Sequence, residues 1–106
     1  MVRIDIYRDA AGAIAGFSAN GHADTAPHGR DIVCAGVAAL TQTAVLGLER
    51  HLRRDIDLDI SSGKLILKLK GAPDAATDAI LETMLLGLAE IAKQSPHSVR
   101  ITEHRR

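Results

Sequence analysis

Apolar and polar residues alternate at the start of the chain, with Val2, Ile4 and Ile6 set against Arg3, Asp5 and Tyr7. A period of two predicts a strand with one buried face. Asp9 to Gly12 is turn material, and Ile14 to Asn20 predicts a second strand paired with the first as a hairpin. Gly21 to Asp31 carries Gly, Asp, Thr, Pro and His without an apolar period, which predicts a loop. It is long for a compact domain, a length usually tied to function. From Ile32 the period becomes helical, with Val33, Val37, Leu40, Ala44 and Leu48 on one stripe, and it runs to about His51. Asp31 suits the N-cap, while Arg50 and His51 suit the negative C-terminal end.

The alternation then returns. Ile56, Leu58 and Ile60 alternate with Asp55, Asp57 and Asp59, and Leu65, Leu67 and Leu69 alternate with Lys64, Lys68 and Lys70. Ser61-Ser62-Gly63 between them predicts a tight hairpin, with the lysines and aspartates in cross-strand pairs of small value. Ile66 interrupts the polar face, either as an isolated apolar residue or as a dimer contact. Pro73 is expected in the first turn of a second helix, whose apolar residues run from Ile80 to Ile91 and which Pro96 stops. Val99 and Ile101 predict a last short strand. The order ββαββαβ, with two amphipathic helices and one-sided strands, predicts an α+β two-layer sandwich with a mainly antiparallel or mixed sheet and both helices on one face.

Composition narrows the picture. The 106 residues fit one domain spanning 1–106. Hydrophobic residues are 46% but aromatics only 2%, so the core must be Ala, Leu, Ile and Val, and a substrate site has few aromatic walls. Lys plus Arg and Asp plus Glu are 13 each, which argues against a dedicated nucleic-acid binder. The clusters at Arg50–Arg54 and Arg105–Arg106 read as a solvated helix end and a tail. No stretch resembles a signal peptide or a membrane span, so a cytoplasmic protein is expected, with no cofactor implied.

The single cysteine excludes an internal disulfide and fits a reducing compartment. With Asp31 as cap, Cys34 is the third residue of its helix, near unpaired N–H groups and the positive end of the dipole. That setting favours the thiolate. On the wheel Cys34 falls at the flank of the apolar stripe, which permits partial exposure. His22, where the second strand ends, could serve as its base, and Asp31 could orient His22 instead of only capping. A small buried cysteine and a solvated histidine explain the same residues blandly. A metal site from His22, Asp24, His28 and Cys34 would mix ligands at irregular spacing.

The blocks Gly21-His22-Ala23 and Gly29-Arg30-Asp31-Ile32-Val33-Cys34-Ala35 resemble the signature of the ribosomal-processing cysteine protease Prp family, and the resemblance spans essentially the whole chain. It implies a homodimeric cysteine endopeptidase. Its partner would be a ribosomal protein substrate, large-subunit protein number twenty-seven, whose N-terminal extension is removed after an aromatic and apolar segment. The balanced charge and the lack of a membrane-span run predict no direct nucleic-acid or membrane partner. The matching catalytic residues are His22 and Cys34, with Asp31 as the matching aspartate and Gly21 and Gly29 as loop glycines. Apart from the resemblance, the loop from Asp24 to Arg30 is expected to act as a lid that orders over the substrate. Ala38 stands where many members have Ser, and Gly36 where Ala is frequent, at a small cost to the helix. The Asp24–His28 loop is this chain's own variant. The residues leave a second class open, a non-catalytic dimeric module associated with the ribosome.

Overall fold

The computed structural model describes residues 1–21 and 32–105. Strands β1 (Val2–Arg8) and β2 (Ile14–Asn20) precede helix α1 (Ile32–Leu46); β3 (Ile56–Ser61) and β4 (Lys64–Leu69) precede α2 (Ala75–Gln94); β5 (Val99–Arg105) follows. All five strands form one sheet in the order β3-β4-β2-β1-β5. The pairs β1–β2, β2–β4 and β3–β4 are antiparallel, and β1–β5 is parallel. The α+β order and the mixed sheet agree with the reading of the sequence.

The register explains the core. Ile4 pairs with Ala19 and Ile6 with Phe17, while Phe17 in turn faces Leu67 of β4. These side chains share one sheet face, and they join Val37 and Ala44 of α1, Leu48 just beyond its end, and Leu81, Met84 and Leu88 of α2 in a single core. The other face carries Arg3, Asp5 and Tyr7 of β1, in register with Arg100, Thr102 and His104 of β5. His104 Nε2 lies 2.7 Å from Asp5 Oδ1 and its ring stacks on Tyr7.

The buried residues of α1 are Val37, Thr41, Ala44 and Val45. Thr41 enters the core because its hydroxyl donates to the carbonyl of Val37 at 2.8 Å, leaving only its methyl to pack. This turns the buried stripe away from Val33 and Leu40, which are only half-buried. The helix widens into a π-helical stretch, Gly47–His51, which holds Arg50 and His51. The whole run Ile32–His51 is long and apolar enough to cross a membrane, contrary to the sequence expectation. Within the fold its buried side chains belong to the core, and Ile32 and Leu46 are left on the surface.

Two ends of elements differ from expectation. Pro73 is not in the first turn of α2; Asp74 caps the helix, its carboxylate accepting from the N–H groups of Ala76 and Thr77, both at 3.0 Å. The Thr77 hydroxyl accepts from Asp74 N–H at 2.9 Å, closing a reciprocal box, so Pro73 lies just outside the helix. Arg54 reaches the same carboxylate at 2.7 Å, so the basic cluster is not wholly solvated. Strand β5 also runs on to Arg105, where a tail was expected.

Helix contact explains Gly36. A methyl there would approach Cδ1 of Ile91 in α2 to 3.1 Å, and one at Gly87 would approach Leu40 to 2.9 Å. The small residues let the two helices lie close, a gain set against their poor helix propensity.

Candidate active site

Cys34 is the third residue of α1 as the helix is described, and it is half-buried. The sequence places it beside the apolar stripe. The structure places it in line with the buried residues, because Thr41 and Val45, seven and eleven positions on, lie on nearly the same side of the helix. Its partial exposure has another origin: at the first turn the buried row runs past the packed core and opens on a cleft.

That cleft, of about 210 Å³, lies between the start of α1 and one end of the sheet. Val2, Ala19, Leu65 and Ile60 supply the sheet wall, and Cys34, Val37, Ala38 and Thr41 the helix wall. Gln42, Ser61 and Lys64 bring polar groups to it. The walls are aliphatic, as the near absence of aromatics requires. The sulfur thus meets a surface that fits apolar side chains, at the positive end of a helix dipole. Ala38 lines the cleft with Cys34 and makes this part of the wall apolar.

Gly21 closes one corner. Its N–H donates to the carbonyl of Gly63 in the β3–β4 turn at 2.8 Å, and its φ is +98°. A methyl there would collide with the carbonyl oxygen of Met1. Both the backbone angle and the close approach demand glycine. The residue that follows it in the chain is His22. The sequence-predicted residues His22, Gly29 and Asp31, and with them the loop variant and the metal reading, lie outside the described residues; Cys34 and Gly21 lie together at the cleft.

Sequence reasoning missed Ile60 and Thr41 as cleft residues. Ile60 fits the apolar face of a strand, and only the sheet order reveals that this strand lies at the sheet's margin. Thr41 is polar by composition, and only its bond to the helix backbone makes it a wall residue.

A thiol at a helix start, opening on an apolar cleft of an α+β sandwich, is an arrangement that suits a thiol-dependent hydrolase. The family model for cysteine protease Prp matches residues 1–100. A ribosomal processing cysteine protease Prp of Staphylococcus aureus (strain Mu50 / ATCC 700699) is 31% identical over 104 residues, covering 95% of this chain and 97% of that protein. Its namesake in Bacillus subtilis (strain 168) is 30% identical over 112 residues, covering 96% of each chain. The crystal structure of the S. aureus protease with a covalently linked product peptide superposes with a TM-score of 0.90 at 25% identity, covering 98% of this chain and 100% of that one. The chain belongs to the cysteine protease Prp family and is a cysteine protease. Of the two classes left open by the residues, the enzyme is the one that holds.

Proposed function

We propose that the chain forms a single catalytic domain that removes the N-terminal extension of large-subunit ribosomal protein number twenty-seven, with Cys34 as nucleophile and His22 as base. The observation that carries this reading is Cys34, half-exposed in the first turn of α1 and facing an apolar cleft. The curated relatives are named as ribosomal processing proteases, which supports a ribosomal substrate.

The chemistry follows from the groups. His22 takes the thiol proton, and the thiolate attacks the scissile carbonyl carbon. Backbone N–H groups at the start of α1 are suited to the oxyanion that forms. The C–N bond breaks as the imidazolium gives its proton to the leaving amine, which leaves a thioester on Cys34. Water, deprotonated by the same imidazole, hydrolyses the thioester and restores the thiol. Asp31 either caps α1 or orients His22, with Gly29 and Gly21 as the loop glycines. The enzyme acts in the cytoplasm as a homodimer, needs no cofactor and engages neither nucleic acid nor membrane directly.

The test is cleavage of a peptide spanning the extension, followed by mass spectrometry. Cys34→Ala and His22→Ala should each remove cleavage while the thermal transition stays in place. Full cleavage by Cys34→Ala overturns the proposal.

A further inference from the structure

Strand β3 lies at the margin of the sheet, and among the described residues it has a neighbour only on the β4 side. Lys70 N–H donates to the Asp55 carbonyl at 3.2 Å, so this opposed pair is a hydrogen-bonded one. In an antiparallel ladder bonded and non-bonded pairs alternate. Asp57 and Asp59 therefore turn their backbone groups to β4, and Ile56, Leu58 and Ile60 turn theirs outward. The same residues carry the apolar side chains. Leu58 is 39% and Ile60 55% exposed, because the helices do not reach this far across the sheet.

Open donors and acceptors beside bare aliphatic side chains form a template for another strand, which proteins ordinarily blunt. Here the charges of Asp57 and Asp59 are on the opposite face and are engaged by Lys70 and Lys64 at 3.8 and 3.1 Å. At its far end the template runs into the Cys34 cleft, since Ile60 and Ser61 line both.

We infer that β3 is the docking rail of the substrate: an extended peptide adds to the sheet as a sixth strand, and its apolar side chains at alternate positions rest on Leu58 and Ile60. This rests on the reading of the Cys34 cleft as the proteolytic site. The sheet edge supplies affinity through main-chain bonds, and the two side chains select apolar residues two positions apart. Specificity then extends several residues from the scissile bond, beyond what the cleft alone can hold.

The test uses the full chain and a peptide substrate long enough to span cleft and rail. Leu58→Pro removes an outward N–H that no ladder bond uses, a change edge strands accept. It should raise KM about tenfold with kcat little changed, while the rate of Cys34 alkylation by iodoacetamide stays at the wild-type value. An unchanged KM overturns the inference. Should the variant fail to fold, the wild-type enzyme is assayed with peptides N-methylated at successive positions. Loss of binding at alternate positions supports the rail, and equal effects at neighbouring positions overturn it. A wild-type chain that cleaves no peptide overturns the proteolytic reading itself. Normal cleavage with no alternation removes the rail alone.

Discussion

The two ends of strand β1 are built to opposite ends. At Arg8 the structure is tied down: its guanidinium donates to Glu82 of α2 at 2.7 Å, to Glu103 of β5 at 2.6 Å and to the carbonyl of Gly12 at 2.9 Å. At Val2, six residues away, the strand borders the Cys34 cleft, where apolar walls stand open. One end spends its polar groups on joining a helix, two strands and a turn. The other leaves room for a substrate. The contrast teaches that the bonds holding the elements together and the open cleft sit at opposite ends of one strand, so a mutation can strike one without the other.

The largest expected effect lies at the cleft end. Cys34→Ala should lower cleavage by about a thousandfold or more while leaving the unfolding midpoint in place. A loss of stability would show that Cys34 is needed as a core residue, which would blur the contrast. Gly21→Ala should strike both properties, because the added methyl meets Met1 and φ is left-handed. A loss of about 1–3 kcal/mol in denaturant unfolding is expected, together with reduced cleavage. Full stability in this variant would show that the corner relaxes freely.

Arg8→Met should show the reverse of Cys34→Ala. It keeps the aliphatic stem and removes the charged bonds, at a cost of about 2 kcal/mol, with KM for the peptide unchanged. A changed KM would show that the two ends are coupled. The smallest effect is one of pH. The Arg8 guanidinium holds the Glu82 carboxyl below its usual range, and the Thr77 N–H, then Arg54, hold Asp74 below its own. A depressed carboxylate adds stability above its unfolded pKa and loses it as pH falls through the folded value. Stability should therefore decline in acid, below about pH 4, and Arg8→Met should flatten that decline. Acid titration of the thermal midpoint reads the difference directly, and parallel curves would show that Arg8 plays no part in it.

Most of the elements were legible because each carries a strong period. Val2, Ile4 and Ile6 alternate, and Ile80 to Ile91 recur at helical spacing, so burial on one side was encoded locally. The end of α2 was less legible. Proline at a first turn is a common signal, but here Asp74 outcompetes it by satisfying two otherwise unpaired N–H groups. The helix stripe was misjudged at Thr41 because its hydroxyl finds a partner one turn back. The lysine–aspartate pairs were expected, but they form diagonally, since Asp59 stands opposite Ile66, not Lys64.

The sequence by itself determined the α+β order, the single thiol at a helix start and the signature that carries the family, since all of these depend on neighbours along the chain. Only the tertiary structure decided that β5 lies parallel beside β1, that β3 is left at the margin, and that Cys34 meets Ile60 over a cleft. Those facts depend on which distant surfaces bury each other, and a local period specifies that a face is apolar without specifying what covers it.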